Sequence, residues 1–363
     1  MLHAPLVAGI RGLAGLTHAA GIENSARLLS KLGGGFARLP FNRKRMERAK
    51  ESIAWCFPDW DADRVDRCAV ESYRHLFRFA AELTWTPRYI SADGFPFHVE
   101  LGDLRLGLEE LVKGGPSILV TGHCGNWELL GTTLAMLGVP VHAVYRPLDL
   151  KPLDEWLLRV RGAKGLTLVS KFGAAWEFDN IMEAGAPLGF IADQNAGDRG
   201  VFVPFFGRLA STYKAIALLA MRHSAPIICG DAVRLSGAAA AGSGPVGEQG
   251  FRDASQGFRY RIRLTDLIRP EDWAGQPDPV FYITARYRRA IENMVRSAPE
   301  QYLWMHRAWK SRPPHERPDR EYKGFPEALK RKLEQLPWMT SGELDRIIAR
   351  SARDAAELRG EPV

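Results

Sequence analysis

Between about residues 115 and 230, short apolar runs alternate with longer segments whose apolar residues recur at helical spacing. The apolar runs, which we predict to be strands, cover residues 117–121, 140–145, 166–169, 187–192 and 226–229. The intervening segments, which we predict to be helices, cover residues 127–137, 152–162, 174–184 and 212–223. Alternation of this kind is typical of an α/β fold with a largely parallel central sheet flanked by helices.

The N-terminal part of the chain has a different pattern. Residues 1–35 are largely apolar and predict one or two helices that end at Gly33, Gly34 and Gly35. Charged residues such as Arg11 and Glu23 interrupt this segment. It therefore offers neither the ~20 apolar residues of a membrane-spanning helix nor a signal-peptide core. Two interpretations stay open: an amphipathic helix on a membrane surface, or a helix packed on the domain.

A basic stretch and a long helix follow. Between residues 38 and 50 the only acidic residue is Glu47. The cationic residues of this stretch are Arg38, Arg43, Lys44, Arg45, Arg48 and Lys50. Residues 61–85 predict a helix, because their apolar positions fall near one face. These positions are Val65, Cys68, Tyr73, Leu76, Phe77, Ala80 and Leu83.

The remaining pattern suggests the domain organisation. Residues 235–257 are mostly small and predict a loop between two strands. Gly242, Gly244 and Gly247 match the spacing of a dinucleotide-binding motif, but Pro245 lies inside it and a strand-like run follows where a helix is required. From about Asp278 onward the pattern predicts helices. We divide the whole chain into an amphipathic N-terminal segment (1–35), an α/β domain (36–320) and a polar helical tail (321–363).

Composition narrows the class of protein. The chain has 363 residues, of which 46% are hydrophobic and 25% charged, as in folded globular proteins. Its formal net charge of +7 favours anionic partners such as nucleic acid, an anionic lipid surface or an acidic carrier protein, although ordinary solvated lysines and arginines explain the charge equally well. The four cysteines form no C-x-x-C pair and have no zinc-ligand spacing, so free thiols are expected. No basic motif with interleaved aromatics of the RNA-binding kind occurs, and nucleic acid is not an expected partner.

Candidate chemistry lies in residues 121–128, "TGHCGNWE", where a predicted strand meets a predicted helix. With His123 in the loop, Asn126 as the N-cap and Glu128 in the first helical turn, the carboxylate can reach an imidazole nitrogen. Histidine titrates near neutral pH, which suits a general base, and a carboxylate partner fixes its tautomer. No G-x-S-x-G elbow supplies a protein nucleophile, so the substrate would supply one, such as a hydroxyl.

Three other interpretations of this stretch stay open. His123 would then only cap a strand end. Alternatively, Cys124 would be a nucleophile paired with His123, although adjacent residues at a strand end point apart. A zinc site of His123, Cys124 and His142 would lack any familiar ligand spacing.

Four blocks, in order between about residues 40 and 315, resemble the bacterial lipid A late acyltransferases and the related mannoside acyltransferases. "GHCGNWE" resembles their signature of histidine, four residues and an acid. The second block is "VYRPLDLKPLDEWLLRVR" (144–161). The third is "ADQNAGDRGVFVPFFGRLASTYKAIALLA" (192–220). The fourth is "PEQYLWMHRAWKSRP" (299–313), with Ala308 where an arginine is common.

The resemblance implies a glycerolipid-acyltransferase-like fold and an O-acyltransferase without a covalent acyl-enzyme. His123 would take a proton from an acceptor hydroxyl, and Glu128 would orient His123. Arg146 and Arg161 would bind a phosphate or the oxyanion, the alternative for Arg161 being a helix-end charge. The other candidate substrate-binding residues are Asn126, Asp193, Gln194, Phe205 and Phe206. Asp193 is also explained as a loop cap, and the two phenylalanines as core or as the lining of an acyl groove.

The resemblance also implies the partners. The donor would be an acyl carrier protein or coenzyme A thioester, and the acceptor a membrane glycolipid, first of all a lipid A precursor. No cofactor or metal is expected. The enzyme would lie on the anionic cytoplasmic face of the inner membrane, and surface association is favoured because its N-terminus is less hydrophobic than the anchor of many relatives. The alternatives are a mannoside or lysophospholipid acyltransferase and a non-catalytic basic membrane-binding protein.

Overall fold

The computed structural model describes residues 15–172, 175–235 and 258–361, together with Gly9 and Gly12. Within these residues the central sheet has seven strands in the order β1-β9-β8-β2-β5-β3-β4, and β6 and β7 form a separate hairpin. All neighbouring strands of the large sheet are parallel except β8 and β9. The strands are β1 Val99–Leu101, β2 Ser117–Thr121, β3 His142–Tyr145, β4 Thr167–Ser170, β5 Pro187–Ile191, β6 Val201–Phe205, β7 Arg208–Thr212, β8 Ile227–Arg234 and β9 Tyr260–Ile268.

Helices flank this sheet, and further helices lie toward both ends of the chain. The N-terminal helices are α1 Ile22–Ala37, α2 Arg43–Cys56, α3 Ala62–Tyr89, α4 Phe95–His98 and α5 Arg105–Lys113. The next four are α6 Trp127–Met136, α7 Lys151–Gly162, α8 Ala175–Glu183 and α9 Ala215–His223. The C-terminal helices are α10 Pro270–Trp273, α11 Pro279–Ser297, α12 Glu327–Glu334 and α13 Ser341–Arg359. The predicted α/β class with a largely parallel sheet is confirmed.

The apolar pattern located most of these elements. Every predicted strand and helix between residues 115 and 230 is present, and β2 has the predicted bounds. The pattern missed β1, which is only three residues long, and the β6–β7 hairpin. In that hairpin Phe206 and Gly207 both have positive φ, 53° and 69°, as the two central residues of a type I′ turn require. The predicted loop at 235–257 lies almost entirely outside the described residues, but the strand predicted after it is β9.

The core of the domain lies between the sheet and α11. Asp278 caps this helix by accepting a hydrogen bond from Phe281 N. On the helix, Ile283, Tyr287 and Ile291 are fully buried. The predicted C-terminal tail is helical, and it packs on the domain instead of standing apart. Its residues Leu333, Leu336, Leu344 and Ile347 are buried in the same hydrophobic cluster as the sheet. These apolar residues account for the packing, because a tail that is solvated on all sides would not carry them.

The glycine triplet at residues 33–35 was predicted to end the first helix, but it does not. Helix α1 continues through it to Ala37, and Gly33 and Gly34 are buried against α3. A Cβ at Gly33 would lie 2.6 Å from the carbonyl oxygen of Tyr73, so glycine lets the two helices approach closely. The opposite face of α1 exposes Leu28 and Leu32. Within the described residues, no helix is both long and apolar enough to cross a bilayer.

Two glycine substitutions in α1 test this packing. We expect Gly33→Ala to lower the free energy of unfolding by about 1–3 kcal/mol, because the new methyl group overpacks the contact with α3. Gly35 has no atom within 4 Å of an added Cβ. Gly35→Ala should therefore raise stability by up to ~1 kcal/mol through helix propensity alone. Urea denaturation of both variants measures the difference, and effects of the same sign would contradict the close approach.

Candidate active site

The loop between β2 and α6 carries the candidate histidine, and its shape depends on Gly125. This residue has a φ of 58°, and a Cβ there would lie 2.0 Å from the carbonyl oxygen of Ala232 on β8. Any larger residue would push the loop away from the sheet. At Gly122 φ is not positive, and an added Cβ would lie 3.0 Å from Ile291. Both glycines therefore allow close packing, and only Gly125 also requires the left-handed conformation.

Backbone hydrogen bonds fix this loop from two sides. Asn126 N donates to Ala232 O on β8 at 2.8 Å, and Gly125 N donates to Gln301 O at 3.0 Å. From the same C-terminal segment, Leu303 N donates to His123 O at 3.2 Å. The loop that carries His123 is thus held between the sheet and residues 299–306. It is a rigid support for a side chain, although its sequence is that of a loop.

Asp193 is the hydrogen-bond partner of His123. The Nδ1–H of His123 donates to Asp193 Oδ1 at 2.7 Å, while Asp193 is fully buried and His123 is partly exposed. Asp193 follows β5 by two residues, and β5 pairs in parallel with β2, Ile191 lying opposite Thr121. The carboxyl ends of these two strands therefore bring together residues 70 positions apart, at the edge where α/β sheets bind ligands.

The electrostatics of Asp193 favour its charged form. Burial alone would raise the pKa of the carboxyl, since it removes the charge from water. The Coulombic attraction of His123 and its hydrogen bond outweigh this effect, and the buried guanidinium of Arg288 adds a further positive charge. The pKa of Asp193 is therefore held below its ordinary value. A permanently ionised aspartate is the group that can fix the imidazole tautomer and stabilise an imidazolium.

The structure corrects the contact expected between Glu128 and His123. Glu128 lies in the first turn of α6 as predicted, but its Oε1 accepts from Arg161 Nη2 at 2.5 Å and from Trp127 Nε1 at 3.2 Å. The carboxylate is thus directed toward the arginine of α7. Trp127 contacts both residues, since its ring also packs edge-to-face against His123 with the ring centroids 4.9 Å apart. The spacing in the sequence indicated that Glu128 could reach His123. It could not indicate that Arg161, 33 residues further along the chain, would bind this carboxylate instead.

His306 is a site residue that the sequence reasoning missed. Its ring stacks on His123 with centroids 4.8 Å apart, and Gln194 Nε2 donates to its Nδ1 at 3.2 Å. Burial, and then the adjacent charge of His123, lower the pKa of His306 to about 4. His306 is therefore uncharged at neutral pH. The signal was present in the fourth block, "WMHRAWK", but the block gave no reason to single out this residue.

A cavity of about 700 Å³ opens beside the histidine. His123, Glu128, Arg146, Arg161 and Gln194 line its polar part. Its remaining wall is mainly aliphatic and comes from α5, α6 and the strands β2 to β5, with Leu108, Leu119, Leu134, Val141, Gly189 and Leu168 among its residues. A large apolar pocket with a few convergent polar groups is the usual form of a ligand site.

The other predicted site residues lie in different places. Asn126 is the N-cap of α6 and accepts from Leu129 N at 2.9 Å, so it positions the loop and does not line the cavity. Arg146 is exposed at the cavity and has no ion pair among the described residues. Phe205 and Phe206 do not line the cavity. Both are buried in an aromatic cluster, because the β6–β7 hairpin folds them onto Trp309 and Trp304.

The interpretations that involve Cys124 find little support in the geometry. Its side chain is buried, and burial raises the pKa of the thiol well above its ordinary value, so it is held as the poorly nucleophilic thiol. Cys124 also pairs with Tyr302 through an isolated bridge of the backbone. In the part of the chain that the structure describes, no group of three or more His, Cys, Asp or Glu residues is arranged to hold a metal ion.

Comparison with known proteins identifies the family. Residues 12–238, more than half of the chain, match the family of bacterial lipid A biosynthesis acyltransferases. The chain is 28% identical over 294 residues to the lipid A biosynthesis palmitoleoyltransferase of Escherichia coli strain K12, covering 77% of this chain and 83% of that protein. It is 24% identical over 298 residues to the lauroyltransferase of the same strain, covering 79% and 86%. The chain belongs to this family and is an O-acyltransferase, as the four sequence blocks predicted.

Substitutions at the histidine–aspartate pair test its role. We expect Asp193→Asn and His123→Ala each to lower kcat of acyl transfer by ~10²–10⁴-fold, since the first removes the tautomer-fixing charge and the second the base. The double variant should lose little more than either single one, because residues that act as a unit are not additive. Cys124→Ala is the control, expected to keep most activity. Additive losses, or an inactive Cys124→Ala, would show a different mechanism.

Proposed function

We propose that this enzyme transfers a fatty acyl chain from the thioester of an acyl carrier protein or coenzyme A to a hydroxyl of a membrane glycolipid, a lipid A precursor. The observation that carries the proposal is the ionised Asp193 behind His123 at the polar end of an apolar cavity. This arrangement provides a base and a compartment for a hydrocarbon chain at one place. Membership in the lipid A acyltransferase family supports the choice of acceptor.

The pair supplies general-base catalysis. With Nδ1–H held by Asp193, the other nitrogen of His123, Nε2, has no hydrogen-bond partner among the described residues and can accept the proton of the acceptor hydroxyl. The hydroxyl oxygen attacks the thioester carbonyl, the carbon–sulfur bond breaks, and the thiolate takes the proton from the imidazolium. An ester and a free thiol result, so no acyl-enzyme and no cofactor are needed. Positioned proton transfer of this kind contributes ~10²–10⁴-fold to a rate.

In this mechanism Glu128 acts through Arg161 and does not orient His123. The carboxylate is buried and its bond to Arg161 fixes the guanidinium in the wall of the cavity. A cation held in place before the reaction is suited to stabilise the negative charge that develops on the thioester oxygen. Arg146 lies in the same wall but is exposed, which suits a contact with an incoming anionic substrate. Loss of Glu128 would therefore free Arg161 and weaken transition-state stabilisation.

The surface around α1 supports an enzyme that works on a membrane. Leu28 and Leu32 expose more than half of their surface, and Phe41 exposes 73%. In the neighbouring part of the chain, Arg38, Lys44 and Arg45 are exposed and have no ion pair among the described residues. Arg43 and Lys50 of the same stretch are paired with Glu47 and Asp66. Exposed apolar and cationic groups are the two components of peripheral binding to anionic lipid.

The proposed function is tested with purified protein, an acyl carrier protein or coenzyme A thioester, and a purified lipid A precursor. Mass spectrometry should show the acceptor gaining one acyl chain, with no acyl adduct on the protein. Total glycolipid from a deletion strain should lack the same chain. Transfer only to a mannoside or a lysophospholipid would replace the proposed acceptor. Absence of any transfer from either donor would overturn the proposal.

Filling the apolar cavity tests whether it holds the acyl chain. A Cβ at Gly189 would have Val141 3.7 Å away as its nearest neighbour, so a side chain begins there without a clash. We expect Gly189→Leu to lower kcat/KM at least about tenfold for long-chain donors and little for short-chain ones, since its methyl groups occupy space that only a long chain needs. Leu168→Met, which conserves volume, is the control. Equal loss for all chain lengths would place the chain elsewhere.

Membrane attachment is expected to have an apolar and an electrostatic part. When Leu28, Leu32 and Phe41 are replaced by serine, only electrostatic binding to anionic liposomes should remain. Added salt should release this variant almost completely, because screening limits the range of charge–charge attraction to ~10 Å at 0.1 M. Replacing Arg38, Lys44 and Arg45 by glutamine should remove ~1 kcal/mol per residue near the surface and leave a salt-insensitive remainder. Sedimentation with liposomes separates the two. Full retention of the serine variant at high salt would point to another anchoring surface.

A further inference from the structure

A second cavity, of about 680 Å³, adjoins the histidine pair, and we call it the basic cleft. It lies between α2, the segment 306–312 and α13, and His306 forms part of its wall. Seven cationic and three acidic side chains line it, an excess of four positive charges. His306 stacks on His123, which lines the apolar cavity, so this pair of rings lies between the two cavities.

Four of the seven cations of the basic cleft are paired with carboxylates. Arg208, Arg312 and Arg350 bond to the buried Asp354 of α13, and Arg353 pairs with Glu357. These two carboxylates, together with Glu316 on Arg312, fix the four arginines and offset most of their charge. By contrast, Arg48, Arg307 and Lys310 line the same cleft without a carboxylate partner among the described residues. Three cations without a carboxylate partner, in a cleft whose other arginines are held in place, are suited to an anion even though Glu51 also lines it.

The position of these cations limits the ligand. Arg307 follows His306 directly in the chain, and Lys310 lies three residues further along the same segment. An anion bound there is next to the groups that carry out the transfer, while an acyl chain in the apolar cavity lies on their other side. This position favours an anion that belongs to a molecule taking part in the reaction, and phosphate is an anion that clustered arginine and lysine side chains bind well.

We propose that the basic cleft binds a phosphate group of one of the two substrates and holds it beside the reacting thioester. The inference rests on the proposed function, because both substrates named there carry phosphate: the donor through its phosphopantetheine arm, and the acceptor on its sugar. It also gives α13 a role, since this helix supplies Asp354 and one wall of the cleft. Arg307 and Lys310 are then specificity residues for the phosphate.

Binding measured without catalysis tests the cleft directly. Trp55 and Trp309 line it, so a bound anion should change tryptophan fluorescence. We expect saturable changes with 4′-phosphopantetheine or with a deacylated, phosphorylated glucosamine disaccharide, weakened as salt rises. The variant R307Q/K310Q should weaken this binding at least about tenfold. R320Q/K323Q, which removes one exposed arginine and one exposed lysine outside the cleft, should bind like the wild type. Absence of saturation with both probes, or equal binding by R307Q/K310Q, overturns the proposal.

Steady-state kinetics identify which substrate supplies the phosphate. R307Q/K310Q should raise KM about tenfold for that substrate alone, with unchanged thermal stability because both side chains are exposed. Acyl-pantetheine, which lacks phosphate, and a dephosphorylated glycolipid are the matched substrates. The variant should show no further loss with the one that lacks the relevant phosphate. A wild-type protein that binds the probes but transfers no acyl group would contradict the proposed function and leave the cleft standing. Unchanged KM values for both substrates in an active variant would overturn the cleft alone.

Discussion

The site depends on how the chain immobilises the loop that follows β2. A loop at a sheet edge is ordinarily the most variable part of an α/β domain. Here Gly125 lies against the backbone of Ala232, and the loop donates and accepts hydrogen bonds with β8 and with residues 301–303. The buried His75 of α3 adds a bond from its Nε2 to Gly125 O at 2.9 Å. Three parts of the chain, spread between residues 75 and 303, thus fix one imidazole.

The buried carboxylate of Asp193 needs neighbouring positive charges to stay ionised. An isolated carboxylate at the position of Asp193 would cost several kcal/mol in lost hydration. His123 offsets that cost by a direct hydrogen bond, and Arg288, also fully buried, adds a nearby positive charge. Arg288 is itself held over the ring of Phe205 at 3.8 Å and donates to Ala192 O. Phe205, predicted as an acyl-groove residue, therefore supports the site from behind, as part of the packing that holds this arginine.

The segment 299–312 connects the loop that carries His123 with the rest of the molecule. Its first residues bond to that loop, His306 stacks on the ring of His123, and Arg312 pairs with Glu316 and Asp354. Through Asp354 the last helix is coupled to the same segment. This explains why the C-terminal region is part of the domain core and not an appendage, even though most of its residues are polar.

The sequence determined the α/β class, nearly all elements between residues 115 and 230, the N-cap at Asn126 and the position of His123, because periodicity and capping are properties of neighbouring residues. The ordered blocks also determined the family. The tertiary structure decided which carboxylate serves His123. Local spacing favoured Glu128, five residues away, whereas parallel pairing of β2 and β5 places Asp193 at the ring and leaves Glu128 to Arg161. It likewise decided that the glycines of α1 serve close helix packing and that His306 joins the site. Each of these outcomes depends on contacts between residues far apart in the chain, which a one-dimensional pattern does not encode.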